Sequence, residues 1–126
     1  MKALVVDDDK LICDSIYETL MQVYDISEVQ FCYDGAEAKE KINSIFFDVI
    51  ILDINIPSVN GLQLMKFVQE RSRDSVMVMT SGNFTPQMAQ IASDFNVEQV
   101  LRKPFDMSQI TSVIAEIIKK HPKLAS

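Results

Sequence analysis

Short, continuous apolar runs alternate along this chain with longer stretches in which apolar residues recur at helical spacing. The clearest runs are residues 4–6, 49–52 and 76–79, and residues 100–101 form a weaker one. Continuous rather than alternating apolar runs are typical of parallel strands that are buried on both faces. The more polar segment 26–33 is predicted to be a further strand, at an edge of the same sheet.

Helical spacing marks the stretches between and after these strands, where apolar residues recur every three or four positions. Three of the stretches begin with residues that favour helix starts: Asp34, then Thr85 followed by Pro86, and Asp106 followed three residues later by Gln109. Strands that alternate with helices imply right-handed crossovers and a parallel sheet covered on both faces. We therefore predict a (βα)₅ flavodoxin-like three-layer sandwich with the strand order 2-1-3-4-5.

Length, charge and cysteine content narrow the class of protein. The 126 residues fit one compact domain, and the net charge of −6 argues against direct nucleic-acid binding, which needs clustered basic side chains. Cys13 and Cys32 lack metal-ligand spacing, so we interpret them as reduced thiols of the core. No apolar run reaches the ~20 residues of a membrane span, and the first run is too short for a signal peptide. We expect no membrane insertion and a cytoplasmic location.

Polar residues follow four of the predicted strands at the point where each strand ends. Asp7 and Asp8 follow the first strand, Asp53 the third, Thr80 the fourth and Lys103 the fifth. Parallel strands bring these residues to one rim, where converging carboxylates repel one another unless a cation lies among them. An all-oxygen site suits Mg²⁺, and a hydroxyl and an amine facing it suit phosphoryl oxygens. The pattern therefore indicates an aspartate nucleophile beside a metal site.

Each of these features also has a simpler interpretation when it is taken alone. Residues 7–9 could form a solvated loop that caps the next helix, and Asp53 could be a helix cap or a turn residue. Thr80 could simply end a strand, and Lys103 could be a surface charge. A site is indicated because all four features occupy the same end of their strands.

The same stretches resemble the receiver domain of two-component response regulators, of the single-domain chemotaxis type. The matching segments are residues 4–9, 49–57, 60–61, 79–82 and 102–105. By this resemblance the receiver domain would span residues 1–121, and residues 122–126 would form a short C-terminal tail. Gly61 would open the third helix after an Asn60-Gly61 turn.

The resemblance also implies a role for each rim residue. Asp53 would be the phospho-acceptor, with Thr80 as the switch hydroxyl and Lys103 as the amine that senses the phosphate. Asp7, Asp8 and Asp53 would bind Mg²⁺, and Asn55 would bind it through its backbone carbonyl. The Lys103–Pro104 peptide bond would be cis.

The function implied is that of a signalling switch rather than an enzyme, although it would assist its own phosphorylation and dephosphorylation. A phosphohistidine protein, either a histidine kinase or a phosphotransfer protein, would transfer its phosphoryl group to Asp53 in a Mg²⁺-dependent reaction. The resulting change of conformation would control binding of a downstream protein or of a second copy. Their contact surface would be the face formed by the fourth helix, the fifth strand and the fifth helix.

Two positions depart from the family pattern. Val100 stands where receivers usually carry the Tyr or Phe that turns inward on activation, and Gly82 has no side chain where many receivers have a large one. A β-branched valine has little freedom about its first torsion. We therefore expect Thr80 and the loop 81–85, with an exposed Phe84, to carry most of the conformational change.

Three other classes share parts of this pattern. Phosphatases that resemble haloacid dehalogenases carry the nucleophile first and the acidic pair last, with an acid two residues after the nucleophile, where this chain has Asn55. A flavin carrier needs hydroxyls and amides in its first loop, which is acidic here. The third class is a degenerate receiver that only binds partners, and the complete set of acids, hydroxyl and lysine argues against it.

Overall fold

Strands and helices alternate along the chain as the apolar pattern predicts. The computed structural model describes residues 1–23, 25–55 and 61–125. The strands are β1 (Lys2–Val6), β2 (Glu28–Cys32), β3 (Val49–Asp53), β4 (Val76–Ser81) and β5 (Gln99–Arg102). The helices are α1 (Lys10–Leu20), α2 (Gly35–Ser44), α3 (Gly61–Arg71), α4 (Pro86–Asp94) and α5 (Met107–Lys120), followed by the 3-10 helix Pro122–Ala125.

All five strands are parallel and lie in the order β2-β1-β3-β4-β5. This order confirms the predicted flavodoxin-like (βα)₅ sandwich. Every residue of the central strand β3 is buried, whereas only Cys32 is buried in β2. The burial explains why the sequence of β3 is continuously apolar up to Asp53, and the polar segment 26–33 contains the edge strand as predicted.

Two cores lie on opposite faces of the sheet, because successive side chains of a strand point to opposite sides. The first core lies beneath α2, α3 and α4 and includes Leu4, Val6 and Leu52. The second core lies beneath α1 and α5 and includes Val5 and Ile51. The sheet is therefore held rigidly between two packed layers, and its carboxyl-terminal rim is the natural place for a precisely arranged site.

The predicted helix starts are all confirmed. The side chain of Asp34 accepts from a backbone N–H of the first turn of α2, and Thr85 does the same for α4, with Pro86 as the first helical residue. Asp106 and Gln109 form a reciprocal capping box at the start of α5. Each cap satisfies N–H groups that a helix cannot pair internally.

One further element follows α5 at residues 122–125. Pro122–Ala125 forms a 3-10 helix, and Leu124 within it packs against the second core. The domain boundary at residue 121 stays a prediction, and the predicted turn residue Asn60 lies outside the described residues. Within the described ranges, no helix has the length and apolar character needed to span a bilayer.

Both cysteines are free and buried, as predicted. Burial raises the pKa of the Cys13 thiol and that of the Cys32 thiol to about 12, with neighbouring carboxylates adding to the shift. Both thiols are therefore protonated at neutral pH, which fits inert core residues rather than nucleophiles or metal ligands.

Candidate functional site

The predicted rim residues meet at the carboxyl ends of the strands. Asp53 and Thr80 are direct partners in the register of β3 and β4. Lys103 follows β5, and its backbone N–H donates to the carbonyl of Ser81 over 2.8 Å. Asp7 directly follows β1, which is the other neighbour of β3. Strand order and register thus bring together side chains that are up to 96 residues apart in the chain, from Asp7 to Lys103.

Three carboxylates cluster at this rim. One oxygen each of Asp7, Asp8 and Asp53 lies within 4.8 Å of the other two, and no second cluster of this kind occurs in the described part of the chain. Asp7 and Asp53 are 2% and 3% exposed, whereas Asp8 is exposed. This donor set fits a hard divalent cation, and the exposed side at Asp8 leaves room for the waters that Mg²⁺ usually keeps.

The ammonium group of Lys103 bridges two of these carboxylates. The Lys103 Nζ lies 2.9 Å from Asp53 Oδ2 and 3.0 Å from Asp7 Oδ2. Burial opposes the charge of this ammonium, but its contacts with Asp53 and Asp7 outweigh burial, so the Lys103 pKa is raised. Burial also raises the pKa of Asp7, against the opposing effects of the Asp9 backbone N–H and the Lys103 ammonium. Lys103 therefore remains charged at neutral pH.

Backbone N–H groups fix the other oxygen of each buried carboxylate. Asp53 Oδ1 accepts from the Asn55 N–H over 3.0 Å, and Asp7 Oδ1 accepts from the Asp9 N–H over 2.9 Å. These bonds turn both Oδ2 atoms toward Lys103 and set the plane of each carboxylate. Asn55 itself is exposed at the rim, and metal binding through its carbonyl stays a prediction.

The acidic run 7–9 divides into two roles. The Asp9 side chain caps α1, where its Oδ1 accepts from the Leu11 N–H over 2.9 Å and from the Ile12 N–H over 3.4 Å. Asp7 and Asp8 instead belong to the carboxylate cluster. The capping interpretation of this loop is thus confirmed for its last residue alone.

The hydroxyl of Thr80 is buried without a hydrogen-bond partner. Thr80 is 1% exposed, and its Oγ1 bonds to none of the groups that the structure describes. Leaving a buried polar group unpaired costs about 1–3 kcal/mol, so buried hydroxyls are normally satisfied. This hydroxyl, on the residue that pairs with Asp53 and without a partner among the described residues, is placed to donate to a group held at Asp53.

Gly61 has a structural role that the sequence did not reveal. A Cβ atom on this residue would lie 2.2 Å from the Ile54 carbonyl oxygen, and the Gly61 N–H donates to that oxygen over 3.1 Å. The N-terminus of α3 therefore packs directly on the backbone that follows Asp53. The only sequence signal for this contact is a glycine at the predicted start of a helix.

The loop after β4 differs from the prediction in one respect. Phe84 was expected to be exposed, but it is half-buried and packs against the first core, with the Arg102 guanidinium 4.6 Å from its ring centroid. The expectation was wrong because the ring folds back onto the sheet and onto Arg102, a residue that the sequence did not single out. Gly82 is exposed, with no atom within 4 Å of an added Cβ, and the Lys103–Pro104 bond is cis as predicted.

Comparison with known proteins identifies the family. The profile of the response regulator receiver domain matches residues 3–115. The chain belongs to this family. It is accordingly a receiver domain of a two-component response regulator, and the resemblance read from its rim residues is confirmed. The phosphatase and flavin-carrier classes are set aside.

Curated relatives and solved structures agree with this assignment. The response regulator ArlR of Staphylococcus aureus is 28% identical over 91 residues, which are 72% of this chain and 41% of ArlR. The chain thus spans less than half the length of the curated relatives that it matches.

Two solved receivers match over nearly their whole length. The receiver domain of AraT, a response regulator from Geobacillus stearothermophilus, is 29% identical with a TM-score of 0.86, over 97% of this chain and 95% of that one. The chemotaxis response regulator CheY4 of Vibrio cholerae is 28% identical with a TM-score of 0.83, over 92% and 97%.

Proposed function

We propose that this receiver accepts a phosphoryl group on Asp53 from a phosphohistidine protein. In this reaction an oxygen of the Asp53 carboxylate forms a bond to phosphorus while the bond between phosphorus and the histidine nitrogen breaks, and the imidazole leaves with a proton. The observation that carries the proposal is the buried Thr80 hydroxyl beside Asp53, which has no partner among the described residues, with the Lys103 ammonium on the same rim. A donor and a cation are what the oxygens of a transferring phosphoryl group require.

A divalent cation fits the acidic cluster. Asp7, Asp8 and Asp53 would hold Mg²⁺, together with the Asn55 carbonyl, and the metal would neutralise the charge of the carboxylates and of the incoming phosphoryl oxygens. The chain supports this arrangement through the N–H groups of Asn55 and Asp9, which orient the two buried carboxylates. Asp8 is exposed, so it can bind the ion without any movement of the core.

A groove beside the rim supports docking of the phosphohistidine donor. It has a volume of about 360 Å³ and lies between α1 and the loop after β5, where its lining residues are Leu11, Ile12, Ser15, Lys103, Pro104 and Phe105. Leu11 is 77% exposed, which leaves a large apolar side chain without cover. Ile12, Pro104 and Phe105 also line the groove, and a contiguous apolar surface beside a polar rim is typical of a protein contact. We propose that a histidine kinase or a phosphotransfer protein docks here, in the cytoplasm, where kinases find ATP.

The output of the switch would be protein binding rather than catalysis on a substrate. Phosphorylation would change the face formed by α4, β5 and α5 and so control a downstream protein or a second copy. Any effect of the chain on the rate of its own phosphorylation or hydrolysis would come from Thr80, Lys103 and the bound Mg²⁺.

Intact-mass analysis tests the proposal. The wild-type chain is incubated with a small-molecule phosphodonor, with and without Mg²⁺, beside Asp53→Ala and Asp9→Asn. We expect the mass of one phosphoryl group on wild type and on Asp9→Asn in the presence of Mg²⁺ only, because asparagine keeps the helix cap that Asp9 provides. Labelling of Asp53→Ala, or equal labelling without Mg²⁺, would overturn the proposal.

A further inference from the structure

A contact between Phe84 and Arg102 joins the loop after β4 to the last residue of β5. The Arg102 guanidinium lies 4.6 Å from the centroid of the Phe84 ring, well within the range of a cation–π interaction. Phe84 is half-buried and packs against the first core, whereas Arg102 is exposed. The ring is therefore held between the sheet on one side and a cation at the surface on the other. We call this pair the Phe84–Arg102 clasp.

The clasp lies on the face of β5 where the aromatic residue of other receivers is missing. Val100 and Arg102 are two residues apart on the strand, so their side chains share one face. Val100 and Phe84 both pack against the first core on that face. Because Val100 is small, the Phe84 ring from the loop after β4 packs at the end of β5 instead.

Both halves of the clasp are tied to groups that would bind the phosphoryl group. Phe84 follows Thr80 by four residues, and Arg102 directly precedes Lys103. Ser81 pairs with Arg102 in the sheet, and its carbonyl accepts from the Lys103 N–H over 2.8 Å. A shift of Thr80 toward a phosphoryl group would therefore displace Phe84, and a shift of Lys103 would displace Arg102.

The clasped arrangement goes with a defined set of contacts at Thr80 and Lys103. The Thr80 hydroxyl bonds to no described group, and Lys103 contacts Asp53 Oδ2 directly. A phosphoryl group on Asp53 would compete for Lys103 and supply an acceptor to Thr80. A ligand shifts a conformational equilibrium only through its different interaction with the two states, and these two contacts provide that difference.

We propose that the Phe84–Arg102 clasp is the aromatic switch of this receiver. When it is closed, the clasp stabilises the conformation in which the Thr80 hydroxyl does not contact a phosphoryl group. Phosphorylation of Asp53 draws the loop 81–85 inward and separates the Phe84 ring from the Arg102 guanidinium. The opened clasp then presents Phe84 and Arg102 on the face formed by α4, β5 and α5. This inference rests on the proposed phosphorylation of Asp53 and names the element through which that site acts.

Opening the clasp by mutation should favour the active conformation. Because a cation–π contact at a partly exposed site is modest, Phe84→Leu or Arg102→Gln should raise the apparent affinity for beryllofluoride, a phosphoryl mimic, by about two- to fivefold. The double variant should gain no more than either single variant, because both changes break the same contact. Additive gains, or weaker binding in both single variants, would overturn the proposal.

Tryptophan fluorescence can report directly on the contact between residues 84 and 102. The chain has no tryptophan, so Phe84→Trp introduces a single tryptophan over Arg102, which can be excited selectively in the presence of the three tyrosines. A matched control is Phe67→Trp, because Phe67 also lies near two cations, with Lys39 at 5.3 Å and Arg71 at 5.8 Å, but on α3. With Mg²⁺ and beryllofluoride we expect a change of emission from Trp at position 84 and none at position 67.

NMR of the wild-type chain tests the clasp without any substitution. The ring current of Phe84 should shift the Arg102 Nε–H resonance upfield, and beryllofluoride should abolish that shift. Fluorine NMR of bound beryllofluoride separates the two ways in which the test can fail. A bound signal with an unchanged Arg102 resonance overturns the clasp alone; no bound signal overturns the proposed function and the clasp with it.

Discussion

Replacing Gly61 with alanine should destabilise the protein although it adds only a methyl group. A Cβ at this position would lie 2.2 Å from the Ile54 carbonyl oxygen and 2.5 Å from the Ile54 Cα, both of which are backbone atoms. Ordinary van der Waals contacts of a Cβ atom are 3.4–4 Å long, so the backbone after Asp53 must move. None of the described glycines has a positive φ, so alanine introduces no torsional strain of its own. From typical costs of overpacking we expect a loss of about 2–3 kcal/mol in the free energy of unfolding.

Urea denaturation followed by far-UV circular dichroism measures this loss, and Gly82→Ala is the matched control. Nothing lies within 4 Å of a Cβ at Gly82, so that variant should stay within about 0.5 kcal/mol of wild type. Gly61→Ala should also bind Mg²⁺ more weakly, because Ile54 adjoins Asp53. If Gly61→Ala unfolds at the same urea concentration as Gly82→Ala, the argument from the close approach of α3 is refuted.

Three further outcomes follow from burial and charge at the rim and in the core. Asp8→Asn should lower the Mg²⁺ affinity measured by calorimetry by a factor of at least about ten, and it should cost no stability because Asp8 is exposed and its charge repels the other carboxylates. A Mg²⁺ affinity equal to that of the exposed control Asp14→Asn would count against the site. Thr80→Val should stabilise the fold by about 1 kcal/mol, because it removes a buried hydroxyl that has no partner in the described part of the chain, and it should abolish the NMR response of loop 81–85 to beryllofluoride. Lower stability would contradict the reasoning. Cys13 and Cys32 should resist Ellman's reagent at pH 8 until urea unfolds the chain, since both folded pKa values are about 12. Because the folded thiols keep their protons above the pH at which unfolded thiols ionise, the thiols should make stability fall as pH rises above about 9; rapid labelling of the folded chain would contradict this.

The residues of the candidate site were predictable because topology alone decides where they lie. Once the apolar runs are assigned to parallel strands, the polar residues that follow each run must reach the same rim. Asp7, Asp53, Thr80 and Lys103 therefore follow from the strand ends and the strand order, without knowledge of any side-chain conformation. The caps at Asp34, Thr85 and Asp106 were predictable for a similar reason, because a cap depends only on its own helix turn.

Contacts between loops and distant elements were not predictable in this way. Phe84 lies in a connecting segment, where side chains are usually exposed, and its burial depends on Arg102, 18 residues further along the chain. The need for glycine at position 61 likewise comes from Ile54, across the residues that connect β3 to α3. Neither contact leaves a periodic pattern in the sequence, because each involves a single non-local approach.

The central claim is that Asp53 itself carries the phosphoryl group, and hydroxylamine tests it most directly. Hydroxylamine converts an acyl phosphate to a hydroxamate and leaves phosphoserine and phosphothreonine intact, so peptide mass spectrometry then locates the modified side chain. After phosphorylation with Mg²⁺ we predict a hydroxamate on the peptide that contains Asp53 and none on the peptide that contains Asp7 and Asp8. A phosphate that survives hydroxylamine, or a hydroxamate at Asp7 or Asp8, would contradict the account.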